Sequence, residues 1–106
     1  MTEMDNLIIQ LQTQNQLLQN IMIQKQTLAL QSNEIENALE EVEKSKGDLF
    51  RVVGPVIVKM KKDEIKKDLL ETKEKIDINI KKFEKQEKTL TEQIKKNKEK
   101  IQGMVN

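Results

Sequence analysis

Eleven positions between Leu7 and Val42 are spaced alternately four and three residues apart, and this repeat constrains the fold more than any other feature. Eight of the eleven are apolar. A 3.5-residue repeat over five heptads, uninterrupted by Pro or Gly, is typical of a coiled-coil helix. We predict a helix over residues 5–45, with Asp5 as N-cap and Gly47 as the C-terminal glycine signal. The seam positions are Leu7, Leu11, Gln14, Leu18, Ile21, Lys25, Leu28, Ser32, Ile35, Leu39 and Val42.

A second repeat of the same kind occupies the C-terminal part of the chain. Its first step spans seven residues and skips Lys73. We predict a helix over residues 62–103, with Asp63 or a neighbour as its cap and Gly103 near its end. Each arm has about 40 residues and would be about 60 Å long. The positions are Leu69, Ile76, Ile80, Phe83, Glu87, Leu90, Ile94, Asn97, Ile101 and Met104.

The charge distribution favours antiparallel pairing of the two arms. Residues 1–46 carry a net charge of −4 and residues 61–106 a net charge of +4. Exposed ion pairs contribute only about 0 to 1 kcal/mol each, so they select an orientation. Most of the stability must come from seam residues, at about 1.5 to 3 kcal/mol for each fully covered side chain. Antiparallel pairing sets Glu40, Glu41 and Glu43 beside Lys61, Lys62, Lys66 and Lys67.

Five seam positions are polar, and two interpretations of them stay open. Buried polar groups in coiled coils set register and orientation. Alternatively, these positions are solvated in a loosely packed coil. The five are Gln14, Lys25, Ser32, Glu87 and Asn97.

The segment FRVVGPVIVK, residues 50–59, interrupts the helical pattern with β-branched and apolar residues. We predict a hairpin with strands 49–53 and 56–60, joined by Gly54 and Pro55 in a type II′ turn. Gly suits the first central position, and Pro supplies the negative φ of the second. The predicted pairs are Val53 with Val56, Val52 with Ile57, Arg51 with Val58, Phe50 with Lys59 and Leu49 with Met60.

Both faces of this hairpin are mostly apolar, and a lone two-stranded hairpin is marginal in water. It also has two unpaired edges. We therefore expect strands from other subunits to complete a sheet or close a barrel. The expected interface residues are Leu49, Phe50, Val52, Val53, Val56, Ile57, Val58 and Met60. The predicted fold is mainly α: a single domain over residues 1–106, with a long antiparallel two-helix coiled coil and one central β-hairpin that joins an oligomeric β-barrel.

Three segments together resemble a β-class prefoldin subunit. They are QKQTLALQSNEIENALEEVE at 24–43, DLFRVVGPVIVKM at 48–60 and KKFEKQEKTL at 81–90. The pattern covers nearly the whole chain, and the single hairpin fits the β class, since the α class carries a second. The resemblance implies a hexamer of α-class subunits and β-class copies on a β-barrel platform. It also implies ATP-independent capture of unfolded polypeptides at the coiled-coil tips, for delivery to a group II chaperonin.

The tips lie where the chain ends meet. Ile8 and Ile9 fall off the seam beside Leu7 and Leu11, so the first turns present more apolar surface than one helix covers. Flexible methionines suit promiscuous contact. Mapped by the resemblance, the substrate-binding residues are Met1, Met4, Leu7, Ile8, Ile9, Leu11, Ile94, Ile101, Met104 and Val105.

The residue inventory argues against catalysis. The chain has no His or Cys and no phosphate-binding loop, and its carboxylates alternate with lysines along helices. We predict that the protein is not an enzyme and that it has no catalytic residues, no metal-binding residues and no cofactor. The basic run of residues 95–100 has no aromatic platform beside it, so we expect solvated lysines that answer the helix dipole, and no nucleic-acid partner. No apolar run is long enough to span a membrane, and a cytoplasmic location is expected.

One alternative function remains at this point. A passive coiled-coil spacer or adaptor would dimerise through parallel helices and treat residues 49–60 as a flexible interruption.

Overall fold

The computed structural model describes residues 2–105 as two long helices with a hairpin between them. Helix α1 spans Glu3–Lys44, strand β1 Leu49–Val53, strand β2 Val56–Met60 and helix α2 Lys62–Val105. The mainly α architecture with one central hairpin is therefore confirmed. The described residues form two compact units. Unit 1 contains residues 2–27 and 80–105, and unit 2 contains Leu28–Asn79.

The start of α1 differs from the prediction because Thr2, and not Asp5, caps the helix. The Thr2 hydroxyl oxygen accepts a hydrogen bond from the Asp5 backbone N–H at 3.1 Å. In return, the Asp5 carboxylate accepts one from the Thr2 backbone N–H at 3.2 Å. This reciprocal pair is a capping box in which Asp5 takes the third helical position.

Gly47 does not end α1 in the predicted way. Only Gly54 has a positive φ among the described glycines, so Gly47 does not form the left-handed cap. Instead, the Lys62 ammonium donates to the backbone oxygens of Glu43 at 2.9 Å and Ser45 at 3.4 Å. A cation at carbonyls that lack helical partners both satisfies them and complements the helix dipole.

Helix α2 begins at the predicted residue, but its cap and its end differ from the prediction. The first helical residue is Lys62, and the Lys61 carbonyl accepts from the Ile65 N–H at 3.1 Å, so Asp63 lies in the first turn and is not the cap. The helix continues past Gly103 to Val105 and has no basic residue in its last turn. The sequence predicts that the lysines of residues 95–100 complement the helix dipole from the final turn, but they lie before that turn.

The predicted seams match the burial pattern of both helices. All eleven seam positions of α1 are buried or half-buried, as are those of α2 from Leu69 to Ile101. Met104 is exposed, whereas Lys73, which the prediction skipped, is half-buried. The alternation of four and three thus marks the contact face correctly, and Lys73 belongs to it.

In unit 1, polar seam residues pair with each other. The Asn97 side-chain amide donates to the Gln14 side-chain oxygen at 2.9 Å, and both residues are buried. The Lys25 ammonium lies 3.1 Å from a Glu87 carboxylate oxygen. These pairs require α1 and α2 to run antiparallel within unit 1.

Unit 2 contains a second group of polar seam contacts. The buried Ser32 hydroxyl donates to the Asp77 carboxylate at 3.1 Å. The Lys73 ammonium contacts Asp77 at 2.9 Å and Glu36 at 3.5 Å. Within this unit the helices are again antiparallel. Because the polar seam residues are paired across the interface, the structure favours their role in register over the solvated interpretation.

The hairpin has the predicted register. All five predicted pairs, from Leu49 with Met60 to Val53 with Val56, are observed. Gly54 has φ of 57°, and no other described residue has a positive φ, which identifies a type II′ turn with Pro55 in second place. Gly54 therefore supplies a conformation that a residue with a side chain rarely adopts.

The Gln14–Asn97 pair gives a test of the register interpretation. Replacing Asn97 with Leu leaves the Gln14 amide buried without its partner, so we expect a loss of about 1 to 3 kcal/mol in the free energy of unfolding. The double variant Gln14→Leu/Asn97→Leu should recover most of that loss, because no polar group is then stranded. Urea unfolding measures both, and Gln16→Leu at an exposed position is the control. A loss in the double variant equal to that of Asn97→Leu would contradict the interpretation.

Candidate binding surfaces

In unit 2, the hairpin presents apolar side chains that this chain does not cover. We call Phe50, Val52, Val53, Val56, Ile57 and Val58 the hairpin surface; all six are exposed. The cross-strand pair Val52 and Ile57 is the most open of them, with 71% and 68% of their surfaces exposed. Leu49 and Met60, at the helix end of the strands, are half-buried.

Helix α2 contacts part of one face of the hairpin. The Arg51 guanidinium lies 3.1 Å from the Asp68 carboxylate. Arg51 and Met60 also line a cavity of about 160 Å³ whose other wall includes Ile65 and Leu69 of α2. Phe50, on the other face, lines this cavity too. The face that carries Val52 and Ile57 is nevertheless the more open one, because Val53, Val56 and Val58 on the Arg51 face are only 55%, 54% and 43% exposed.

Both edges of the hairpin are unpaired within the described chain. The sheet contains only β1 and β2 among residues 2–105. Each strand therefore has one row of backbone N–H and C=O groups with no strand beside it, a template for pairing with other strands.

In unit 1, the expected tip residues differ widely in exposure. Ile8, Ile9, Met104 and Val105 are exposed, and we call these four the tip surface. Met4, Leu11 and Ile101 are half-buried. Leu7 and Ile94 are only 9% and 7% exposed, so they hold the two helices together and would meet a substrate only if the pair opened. Met1 lies outside the described residues.

Several apolar residues off the seam were not singled out from the sequence. Leu17, Met22, Ile23 and Leu30 of α1 are exposed, as are Leu70 and Ile78 of α2. A signal for the α1 group was available, since no residue between Asp5 and Lys25 is charged in a chain that is 35% charged. The apolar surface of α1 therefore extends beyond the tip residues predicted for it.

The described residues show no arrangement for metal-based chemistry. No group of three or more His, Cys, Asp or Glu side chains within residues 2–105 is placed to hold a metal ion. Over the same span, neither helix is long and apolar enough to cross a membrane. The surfaces that stand out are apolar, open and suited to contact with other polypeptides.

The comparisons with known proteins agree with this geometry. A family model described as "Prefoldin subunit" matches residues 5–106. A prefoldin subunit beta of Archaeoglobus fulgidus is 33% identical over 105 residues, covering 97% of this chain and 90% of the relative. One from Thermococcus onnurineus is 37% identical over 95 residues, covering 88% and 82%. The crystal structure of the prefoldin beta subunit from Thermococcus strain KS-1 matches with a TM-score of 0.93 and 30% identity, over 100% of this chain and 95% of the other.

The chain belongs to the prefoldin β-subunit family. The family is one of chaperones, and this membership makes the protein a prefoldin chaperone subunit. The beta2 subunit from the same Thermococcus strain also matches, with a TM-score of 0.74 and 25% identity over 84% of this chain and 97% of that one. The single hairpin, the feature that pointed to the β class, is present in the described residues.

Ion pairs join the ends of α1 and α2 beside the prefoldin hairpin. The Lys66 ammonium lies 2.7 Å from the Glu43 carboxylate, as the charge pattern predicted for this end of the arms. The hydrogen bond and the charge of Lys66, followed by the charge of Lys62, lower the pKa of Glu43. The same bond raises the pKa of Lys66. In Lys73, the hydrogen bond to Asp77 is the main cause of a raised pKa.

The Glu43 pair predicts a pH dependence of stability. Folding lowers the pKa of Glu43, so its ion pair contributes fully to the free energy of unfolding when the pH is above the pKa of Glu43 in the unfolded chain. That contribution is lost as the pH falls through the pKa of Glu43 in the folded state. Glu43→Gln should therefore be less stable than the wild type at about pH 7 and should approach it at about pH 3. Both side chains are solvated, so the difference is small. Urea midpoints at the two pH values measure the difference, with Glu41→Gln as control. A difference between wild type and Glu43→Gln that is the same at both pH values would contradict a stabilising role for the Glu43 ion pair.

Proposed function

We propose that this subunit acts in an ATP-independent holding chaperone. In this proposal, the hairpin surface joins strands of α-class subunits and other β-class copies in a hexamer built on a β-barrel. The tip surface captures non-native polypeptides, which are then delivered to a group II chaperonin. The proposed location is the cytoplasm.

The observation that carries the assembly step is the uncovered hairpin. Val52 and Ile57 would each contribute about 1.5 to 3 kcal/mol if fully buried, yet both are mostly exposed in the single chain. The unpaired edges add backbone groups that only further strands can bond. A sheet shared between subunits would cover the open face and satisfy both edges, and a closed barrel leaves no edge at all.

Apolar exposure at the chain ends supports the capture step. Ile8, Ile9, Met104 and Val105 belong to unit 1 and stand outside its buried Leu7 and Ile94 contacts. The exposed four can therefore contact a substrate while the helix pair stays intact. Contacts with a mixed apolar surface need no specific side-chain pattern, which suits the recognition of non-native chains.

The spacer or adaptor alternative is weaker. It required parallel helices from two chains, whereas the described pairs join α1 and α2 of one chain in antiparallel order within each unit. Its flexible interruption is an ordered five-pair hairpin.

Charged residues on the hairpin surface should prevent assembly. In Val52→Asp/Ile57→Asp, unpaired carboxylates would be buried in the shared sheet, so the native mass should fall to that of free subunits. Helical content by circular dichroism should be unchanged, since neither residue touches the seams. Leu30→Asp/Leu70→Asp, at exposed apolar positions on the helices, is the matched control and should assemble with an α-class partner. An intact complex in the hairpin variant would refute the assembly step.

Truncation of the tip surface should weaken capture without affecting assembly. For Ile8→Ser/Ile9→Ser/Val105→Ser we expect about tenfold more complex to be needed to suppress aggregation of a denatured test protein, because several buried methylenes are lost from the contact. Native mass should not change. Leu70→Ser/Ile78→Ser removes similarly exposed residues from unit 2 and should suppress aggregation normally. Equal loss in both variants would argue against a tip site.

A further inference from the structure

The cavity between the hairpin and α2 in unit 2 lies beside the surface proposed for assembly. It has a volume of about 160 Å³, and we call it the junction cavity. Phe50 lines it, belongs to the hairpin surface and is 58% exposed, so the cavity and that surface are continuous. The complete lining is Phe50, Arg51, Met60, Ile65, Asp68, Leu69 and Thr72.

The volume of the junction cavity suits one six-membered ring. An apolar cavity of about 150 Å³ in a protein core binds benzene. The side chains of Val and Ile are smaller than such a ring, so the β-branched residues that dominate the hairpin surface would leave the junction cavity partly unfilled. An occupant of matching size is therefore aromatic.

The lining of the junction cavity also favours an aromatic ring over an aliphatic chain of equal size. The Phe50 ring can pack edge to face with a second ring. The Met60 thioether makes favourable contacts with ring edges. The Arg51 guanidinium stacks on aromatic faces. The chain has a single Arg among its 19 basic residues and only two Phe, so two rare residue types meet at this one cavity.

The polar groups at the rim of the junction cavity have partners within this chain. The Arg51 Nη1 atom lies 3.1 Å from an Asp68 carboxylate oxygen, which holds the guanidinium beside the cavity. The Thr72 hydroxyl donates to the Asp68 backbone oxygen at 2.9 Å. An occupant therefore gains apolar and aromatic contacts without having to supply a hydrogen bond to the rim.

Other copies of this chain have no suitable ring to offer. Phe50 and Phe83 are its only aromatic residues. Phe50 lines the junction cavity of its own chain, and Phe83 is a half-buried seam residue of α2 in unit 1. The ring must come from a chain with a different sequence.

We propose that the junction cavity is a socket for one Phe or Tyr side chain of an adjoining α-class prefoldin subunit. The inference rests on the proposed assembly and names a contact within it. A contact between two copies of this chain leaves the socket unfilled, whereas a contact with an α-class subunit buries a ring there. The socket thus favours an α-class neighbour over a second copy at this position, a specificity that pairing of apolar strands alone does not provide.

Nuclear Overhauser effects in the complex with an α-class partner test the proposal. All copies of this chain are deuterated except for isotope-labelled Met methyl groups, and the partner keeps its protons. The Met60 methyl group should then show effects from aromatic ring protons, which the partner alone can supply. Met22, exposed on α1 in unit 1, is the internal control and should show none. Effects from aliphatic partner protons alone, or no effect at Met60, would overturn the proposal.

A variant that fills the socket from within distinguishes docking from a simple packing defect. Thr72→Met places a flexible apolar side chain at the rim, and such side chains fill irregular gaps. The free chain should unfold at the same or a higher urea concentration, because filling a cavity commonly stabilises a protein. Assembly with the α-class partner should nevertheless require about tenfold more subunit, because the socket is occupied.

Thr91→Met is the matched control for this variant. Thr91 is exposed on the same helix, and its hydroxyl makes the same kind of bond, at 2.7 Å to the Glu87 backbone oxygen. Because Thr91 lies in unit 1, away from the junction cavity, Thr91→Met should assemble as the wild type does. Equal assembly of Thr72→Met and Thr91→Met would contradict the socket.

The native mass of the wild type keeps failure of this inference apart from failure of the proposed function. If the wild type and Thr72→Met form the complex equally well and Met60 shows no aromatic contact, the socket is wrong and the proposed assembly stands. If the wild type forms no complex with an α-class partner, the proposed assembly itself is wrong, and the socket with it.

Discussion

Each helix of the pair can bury side chains only against the other helix, and the rest of the structure depends on this limit. Each helix hides one stripe, so Leu7 and Ile94 are the apolar side chains that reach the interior among the described residues, beside three polar ones. Leu and Ile at most seam positions are interchangeable, so apolar contact alone distinguishes poorly between registers. A slip of one heptad would separate Gln14 from Asn97 and bury two amides without partners, at a cost of about 1 to 3 kcal/mol for each. The alignment of the arms therefore depends on their paired polar groups.

The same shortage of covering surface explains why apolar residues remain exposed at two places. Two strands cannot bury both of their faces or pair both of their edges, so Val52 and Ile57 stay open whatever the helices do. In unit 1, each helix faces its partner with one row of seam residues, so Ile8, Ile9 and Leu17, which lie outside that row, stay exposed. In unit 2, capping and ion pairing by Lys62 and Lys66 hold the ends of α1 and α2, which keeps the hairpin in a defined position while its apolar surface is uncovered.

Features that depend on residues close together in the sequence were predicted more often than features that depend on contacts between distant segments. The seams and the hairpin register were predicted because they depend on spacing within one segment and on the φ that Gly54 and Pro55 impose. The C-terminal cap of α1 was not predicted, since Lys62 lies near the Glu43 carbonyl only in the folded hairpin. The N-terminal cap is local, and the spacing of Thr2 and Asp5 was a signal for it that was missed. Lys73 was skipped, and what compensates its charge at the seam is its ion pairs with Asp77 and Glu36, of which the pair with Glu36 depends on how the two helices align. The expected tip residues were grouped by their closeness to the chain ends, so Leu7 and Ile94 were included although their seam positions already indicated burial.

Exposed apolar surface invites self-association, and the charge distribution bears on where association would occur. Unit 1 carries nine lysines and six acidic residues, a net charge of +3, with eight of the lysines on α2. Two copies that approached through this unit would repel each other, so the uncharged stretch of α1 between Asp5 and Lys25 can expose Leu17, Met22 and Ile23. Unit 2 carries ten basic and twelve acidic residues, a smaller net charge of −2, and pairs charges locally at the hairpin, as in Arg51 with Asp68 and Lys59 with Asp48. Repulsion between copies is therefore weaker at the hairpin, where strands are proposed to assemble, and stronger in unit 1, whose exposed apolar surface is proposed to contact other polypeptides.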